Sequence, residues 1–363
     1  MPPGFGAGIG VEGAALALLA TDRIISTAHA WSTTGMVLGS SLLAEERRAR
    51  PGKFIVAPLA IVALSLGLGL LVALGPRFPA NGQFTPALWG FALYVSLFWV
   101  GHFWHFGQQD FGVLSLYRAR AGQTATDRRI DRLLTAAMMF AIQPIVYLHF
   151  VRTTAFSELI HGLVPISFAA SQGLARAAVA AAILLCVASG ARELLKAPRS
   201  LPKLLYLAVM LSHPTLLLAS VELGRTDLGA LYVITYLWSH WMIAIGLTGR
   251  IGVGHLAQSG GGGRGLALTL YVAVLVAVTG AVLIAIGDFE LYRLFNTDGF
   301  RYKTILTEIA PAQQPVVGLV LAFFLGEQLL HYYCDRCLFR LRDPGVRARV
   351  APHLLGEPSS GAR

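Results

Sequence analysis

The sequence predicts an all-α membrane protein, built as a bundle of transmembrane helices. Of its 363 residues, 55% are hydrophobic and only 13% are charged. Apolar runs of about 20 residues recur along the chain, and a helix of that length crosses the hydrocarbon core of a bilayer. This combination is typical of polytopic membrane proteins, and we expect an integral protein of a bacterial-type inner (plasma) membrane.

Nine windows of spanning length are predicted, each forming one helix of a single transmembrane domain over residues 1–342. The first window is interpreted as a retained helix, because no basic segment with a short apolar core and a cleavage site precedes it. The windows are residues 11–42, 55–75, 87–116, 131–151, 177–195, 203–222, 228–248, 265–287 and 314–338.

Basic residues predict the orientation of these helices. Lys and Arg are concentrated in the connections after the first, third, fifth, seventh and ninth windows. The positive-inside rule therefore places the N-terminus outside and the C-terminus in the cytoplasm, in agreement with an odd number of spans. The net charge of +10 is explained by these connections, so we exclude a nucleic-acid partner. Residues 343–363, rich in Arg, Pro, Gly and Ser, are predicted to be a disordered cytoplasmic tail.

Six histidines fall at one depth, between the bilayer midplane and its cytoplasmic side, when position is counted at about 1.5 Å per residue. They lie on five different predicted helices. Imidazole is costly in hydrocarbon, so these side chains must face the interior of the bundle. A single histidine within a membrane usually forms a hydrogen bond with a neighbouring helix, whereas six histidines at one depth favour a metal site. The predicted ligands are His29, His102, His105, His213, His240 and His331.

The third window carries a polar stripe. His102, His105 and Gln109 follow an i, i+3, i+7 pattern, which places them on one helix face. Asp110 is offset from that face and lies closer to the cytoplasmic end. An amide beside imidazole ligands can orient the rings, and we predict this role for Gln109.

The ninth window carries a second stripe, in which Glu327, His331 and Asp335 are spaced by four residues. Glu327 and Asp22 of the first window are predicted, together with Gln109, to be the catalytic or ring-orienting groups. A purely structural pairing of Glu327 with His331 or with an arginine stays open.

Three short motifs resemble the Brp/Blh family of membrane proteins. They are the run His-Phe-Gly-Gln-Gln-Asp at residues 105–110, the run Tyr-Leu-Trp-Ser-His at residues 236–240, and the histidine at position 29 of the first helix. Members of that family are polytopic β-carotene dioxygenases in which histidines from separate helices hold a non-haem iron. The resemblance implies the ligands His29, His105 and His240, with His213 or His102 as a fourth.

The sequence thus predicts a membrane-embedded, metal-dependent oxidoreductase or oxygenase that acts on a hydrophobic small molecule such as a lipid or isoprenoid. Iron is the expected metal, with a two-metal centre, copper, zinc or haem b as alternatives. The expected partners of the protein are the lipid bilayer and the hydrophobic substrate, and the sequence does not identify a redox partner. Two other functions stay open: a b-type haem electron-transfer protein, and a proton-coupled transporter with a His/Glu relay.

Overall fold

A computed structural model describes residues 8–74, 86–122, 125–153, 167–196, 199–259, 263–286 and 314–355. All regular secondary structure within these ranges is helical, which confirms the predicted all-α class. Each of the nine predicted windows coincides with a long helix or helical rod. The helices are α1 Gly8–Leu38, α2 Ala44–Ala49, α3 Ala57–Leu74, α4 Pro86–Arg120, α5 Ala125–Thr153, α6 Phe168–Leu194, α7 Leu201–Leu223, α8 Thr226–Tyr232, α9 Ser239–Ser259, α10 Arg264–Ile286, α11 Gln314–Leu338 and α12 Pro344–Leu355.

Two wide-turn π-helical segments interrupt the ordinary helical geometry. One, Gly52–Val56, leads directly into α3, and the other, Val233–Trp238, joins α8 to α9 in a continuous rod. Such segments often occur at functional sites, since the extra residue per turn redirects the side chains that follow. The second segment contains Tyr236 and ends two residues before His240.

Five helical segments within the described ranges are long and apolar enough to cross a membrane, which indicates a membrane protein. Their outward faces carry exposed aliphatic side chains, as a helix surrounded by lipid requires. On α6, for example, Leu184 and Val187 are exposed, and Val274 and Val276 are exposed on α10. The five segments are Gly52–Leu70, Phe168–Leu194, Leu201–Leu223, Asp227–Ser259 and Arg264–Val282.

Helix α6 begins well before the window predicted from residue 177. Ser167 occupies its N-cap position, where its hydroxyl accepts a hydrogen bond of 3.2 Å from the backbone amide of Ala170. Helix α7 ends close to its predicted boundary, where Gly224 takes up a left-handed conformation with φ of 63°. A run of apolar residues marks the middle of a membrane-spanning helix. It does not include the more polar turns at the helix ends, which is why the predicted start of α6 was too late.

The buried side chains form two hydrophobic clusters. The first lies between α4, α5, α6 and α7, around Leu114 and Met210. The second joins α1, the start of α3, α9, α11 and α12, around Phe54 and Ile251. Helix α11 packs along α3 and also contacts α1 and α4. The polar groups of α1, α4 and α11 therefore meet between the two clusters.

Residues 344–355 differ from the disordered tail that the sequence predicted. They form α12, whose Val346, Val350 and Leu354 are spaced by four residues and buried in the second cluster. The arginines between these positions lower the mean hydropathy of the segment and hide its apolar stripe. Residues 356–363, the rest of that predicted tail, lie outside the described residues.

Candidate metal centre

Four buried side chains from three helices form a compact set of possible metal ligands. His29 comes from α1, His105 from α4, and His331 and Asp335 from α11. One donor atom of each lies within 4.8 Å of those of the other three. None of the four side chains is more than 5% exposed. A water-excluded cluster with both nitrogen and oxygen donors is the result.

The distances between the donor atoms suit a shared ion. His29 Nε2 and His331 Nε2 are 2.8 Å apart, and His105 Nε2 is 3.6 Å from Asp335 Oδ2. His331 Nδ1 is also 3.6 Å from Asp335 Oδ1. Neighbouring ligands of an ion with bonds of about 2.1 Å are roughly 3 to 3.5 Å apart. Each histidine can give only one ring nitrogen to a given ion, and single donor atoms of the four residues lie within 4.8 Å of one another. The donors that are furthest apart would therefore have to approach by about 1.3 Å to share one ion.

Unsatisfied polar atoms also point to a bound ion. His29 Nδ1, His105 Nε2, His331 Nδ1 and Asp335 Oδ1 are buried and lack a hydrogen-bond partner within the part of the chain that the structure describes. Leaving buried polar atoms unpaired is unfavourable, and leaving a buried carboxylate without a counter-charge is more so. A divalent cation would satisfy both, so the donor set fits a metal.

Gln109 connects this set to a fourth helix. Its Nε2 donates a hydrogen bond to Asp335 Oδ2 and lies 3.3 Å from His29 Nε2. Its Oε1 is in hydrogen-bond contact with Nε2 of His240, which α9 supplies. The amide therefore contacts Asp335 and joins His240 to the cluster.

Asp110 lies at the other end of this chain of contacts. Its carboxylate accepts hydrogen bonds from the hydroxyl of Tyr206 at 2.5 Å and from the hydroxyl of Tyr236 at 3.0 Å. One of its oxygens lies 3.4 Å from His240 Nδ1. Both nitrogens of His240 therefore have polar neighbours, Asp110 on one side and Gln109 on the other.

Four of the six predicted histidines lie around the ring of Phe106, and the other two, His331 and His29, are reached through His105. Phe106 has its ring centroid 4.3 Å from that of His102, 4.8 Å from His240 and 6.2 Å from His213. The same ring is 6.1 Å from His105, which in turn lies 4.8 Å from His331.

Three of these histidines lie outside the four-donor cluster, namely His240, His102 and His213. The Nδ1 of His102 is 2.5 Å from the hydroxyl of Tyr332. The ring of His213 stacks on Tyr236, with centroids 3.7 Å apart and planes inclined by 18°. Each ring thus has an aromatic neighbour that defines its position without a metal.

The two other predicted carboxylates lie beyond the cluster. Glu327 is buried one turn before His331 on α11, and Asp22 is half-buried about two turns before His29 on α1. Neither is a member of the four-donor group.

Asp335 is the ligand candidate that sequence reasoning missed. Its spacing from His331 places the two on one helix face, and that signal was available. The same stripe also contains Glu327, however, and nothing in the pattern distinguishes the two carboxylates. Only the position of α11 against α1 and α4 selects Asp335.

Comparison with known proteins gives no assignment: no family model, no curated protein and no solved structure matches the chain. What this protein can bind is therefore read from its own donor set.

Proposed function

We propose that the chain is a membrane-embedded metalloenzyme in which His29, His105, His331 and Asp335 hold a redox-active metal, with iron favoured. The proposed reaction is the oxygen-dependent oxidation of a lipid-soluble small molecule, of which an isoprenoid is one example. One observation carries the proposal, namely the four buried donors from three helices that lie within 4.8 Å of one another.

The chemistry of the donors supports iron. Imidazole nitrogens with a carboxylate oxygen are the ligands of non-haem iron centres that keep positions open, although manganese, zinc and copper also accept them. No thiolate belongs to this set of described residues. When bound, such a metal supplies one-electron redox chemistry and a place for oxygen to bind.

The protein's own groups would prepare this site for reaction. The Asp335 carboxylate offsets one of the two charges of a divalent ion, and three neutral imidazoles replace its water ligands, which limits the cost of holding it in a dry interior. Gln109 fixes the direction of the Asp335 carboxylate through its amide hydrogen bond. Exclusion of bulk water protects reactive species from side reactions.

The resemblance to the Brp/Blh family supports iron, and it suggests a different ligand set. The ligand set that the resemblance suggests includes His240. The ring centroid of His240 lies 6.3 Å from that of His29, and Gln109 contacts both side chains. In our proposal His240 is a positioning residue that acts through Gln109. Metal content in Asp335→Ala and His240→Ala variants distinguishes the two sets.

We further propose that all nine long helices or helical rods cross the membrane, with the N-terminus outside. Helices α1, α4, α5 and α11 pack against candidate spans along their length. Three of these four also carry the ligands and Gln109. A polar interior face on each is compatible with spanning, because neighbouring helices shield it from lipid.

A proton-coupled transporter is the second candidate, and the contacts of His240 favour it. Asp110, His240, Gln109 and Asp335 form a continuous series of polar contacts through the bundle interior. Buried Asp and His side chains are typical of proton relays, and here the Gln109 amide links the two titratable ends of the series. A haem is less well supported, because His29 Nε2 and His331 Nε2 lie 2.8 Å apart, which leaves no space for a macrocycle between these two rings.

Metal analysis of the purified protein tests the proposal. We expect detergent-purified wild type to contain stoichiometric metal, and His105→Ala and Asp335→Ala to lose most of it. His213→Ala is the matched control, because that ring stacks on Tyr236 outside the cluster. Wild type without metal after growth in supplemented medium, or equal metal in all variants, would contradict the proposal.

A further inference from the structure

A pocket of about 690 Å³ opens on the surface between α2, the start of α3 and the connection from α11 to α12. It shares no residue with the metal cluster. Six of its nine lining residues are charged. These side chains are Glu46, Arg50, Lys53, Arg340, Arg342 and Asp343.

Two of the four cations are neutralised inside the pocket. Arg50 forms ion pairs with Glu46 and Asp343, and Lys53 Nζ lies 3.2 Å from Asp343 Oδ2. These contacts hold one wall of the pocket in place across a sequence separation of nearly the whole chain.

The other two cations are uncompensated. Neither Arg340 nor Arg342 forms an ion pair with any residue that the structure describes. The carboxylates of Glu46 and Asp343 already form ion pairs with Arg50 and Lys53. The pocket therefore carries an excess of two positive charges. Like charges held together at one surface attract an anion, and guanidinium groups match the oxygens of a phosphate with two parallel hydrogen bonds.

The pocket lies at the level where a candidate span leaves the membrane. The segment Gly52–Leu70 begins at the pocket wall, and just beyond it Ile55, Val56 and Leu59 are exposed to the surroundings of the helix. Aliphatic side chains in that position face lipid tails, so Lys53 and its neighbours lie at the depth of the headgroups. Basic pockets between helices at this depth recognise anionic headgroups.

We infer that this pocket binds a phosphate group, carried either by an anionic phospholipid or by a soluble phosphorylated molecule. Arg340 and Arg342 bind the phosphate oxygens directly. Arg50 and Lys53 add positive potential while Glu46 and Asp343 keep them in position. A zwitterionic headgroup such as that of phosphatidylcholine would bind more weakly, because its ammonium group would lie near the two arginines.

Thermal unfolding of the full chain in neutral detergent tests this inference. The probes are dioleoylphosphatidylglycerol, dioleoylphosphatidylcholine and inorganic phosphate, each titrated separately. A ligand of the folded state raises the unfolding temperature. We expect the anionic lipid to do so in wild type, and its apparent affinity to fall roughly tenfold or more in the double variant Arg340→Gln/Arg342→Gln.

Arg347→Gln is the matched control, since Arg347 is exposed on α12 and lies outside the pocket. It removes a cation from the same region and should keep the wild-type response. The double variant should unfold at the wild-type temperature without ligand, because neither arginine is paired. Its metal content, measured in parallel, should also be that of wild type, which separates this test from that of the metal centre.

The three probes also identify the source of the phosphate. Stabilisation by the anionic lipid alone supports a lipid site, and an equal, arginine-dependent effect of inorganic phosphate supports a soluble ligand. The inference is overturned if no phosphate probe stabilises wild type. It is equally overturned if phosphatidylcholine has the same effect as the anionic lipid, or if the double variant responds as wild type does.

Discussion

At the scale of single residues, Gln109 shows how one side chain can join two polar networks. Its amide lies between Asp335 and His29 on one side and His240 on the other. Gln108, its neighbour in the chain, is exposed on another face of α4. Two identical residues in succession therefore have unrelated surroundings, because one position corresponds to a rotation of about 100° around a helix.

Replacing Gln109 should weaken metal binding without abolishing it. In Gln109→Ala the Asp335 carboxylate loses the donor that orients it, and changes of this kind typically reduce metal affinity about 10–100-fold. Competition with a chelator of known affinity measures the change. Gln108→Ala is the control and should bind metal as wild type does. Equal affinities of the two variants would show that the amide does not orient the ligands.

At the scale of helices, close packing of α3 on α11 depends on a glycine. A Cβ atom built on Gly326 would lie 2.8 Å from the Cβ of Ser65, closer than side chains approach in folded proteins. The adjacent residue on α11 is Glu327, one turn from His331. The position of this glycine therefore affects how near α11, with two of the four donors, can come to the rest of the cluster.

We expect Gly326→Ala to destabilise the protein by about 1–3 kcal/mol, because the added methyl group forces α3 and α11 apart. Gly67→Ala on α3 is the control, since a Cβ there has open space around it. It should be neutral or slightly stabilising, as alanine favours helix over glycine. Unfolding in a mixed detergent series measures both. Recovery of stability in Gly326→Ala/Ser65→Gly would identify the steric contact as the cause.

A buried ionic network joins α5, α6 and α7 at one end of the bundle. Lys203 is only 2% exposed and lies 2.9 Å from Asp131 and 3.4 Å from Glu193. Arg118 of α4 contacts Asp131 at 3.2 Å. Charges at this depth are stable only while each keeps its partners.

Lys203→Met should therefore destabilise the protein by about 3–5 kcal/mol, because it removes a cation from two buried carboxylates. Lys196→Met is a useful comparison. Lys196 also contacts Glu193, at 3.4 Å, and it forms an ion pair with Asp127, which keeps Arg192 as a second partner at 3.4 Å. The Lys196 side chain is 20% exposed, so water can replace it. We expect a cost of about 1 kcal/mol or less for this second variant. Similar losses in both would mean that the network is not effectively buried.

At the scale of the whole molecule, ion pairs link residues that are about 290 positions apart in the chain. Asp343, just before α12, contacts Arg50 and Lys53 near the start of α3. The hydrogen bond from Arg50 lowers the pKa of the Asp343 carboxyl well below its usual value, and Lys53 contributes in the same direction. A carboxyl whose pKa is lower in the folded state stabilises the protein above the unfolded-state pKa of about 4.

The contribution of Asp343 to stability should therefore depend on pH. The difference in unfolding temperature between wild type and Asp343→Asn should be constant from about pH 7 to 5 and should shrink as the pH falls below about 4. Thermal unfolding of both proteins in matched buffers measures it. Subtracting the variant removes effects of the metal ligands, which titrate in both proteins. A difference that grows on acidification would contradict the assigned ion pairs.

The proposed orientation can be tested on one helical rod. Asp227 and Ser259 are the exposed ends of a candidate span, with Asp227 proposed outside and Ser259 in the cytoplasm. We expect an impermeant maleimide to label Asp227→Cys in intact cells and Ser259→Cys only after lysis. The native Cys186, Cys334 and Cys337 are buried and should give little background. The reverse pattern would invert the orientation.

The sequence by itself determined the helical class, the approximate position of each long helix and the concentration of histidines among apolar residues. These features follow from apolar runs and from local spacing along a helix, which need no knowledge of neighbours. The same local rules missed α12, whose buried valines alternate with arginines, and the π-helical segment before His240, which departs from the ordinary helical period.

Only the tertiary structure decided which side chains share a centre. It brought His29, His105 and His331 together, added Asp335, and placed His213 against Tyr236 and His102 against Tyr332. The physical reason is that donor distances of a few ångströms depend on how each helix is rotated and how closely it packs. Contacts such as Gly326 against Ser65 set that packing between residues far apart in the sequence.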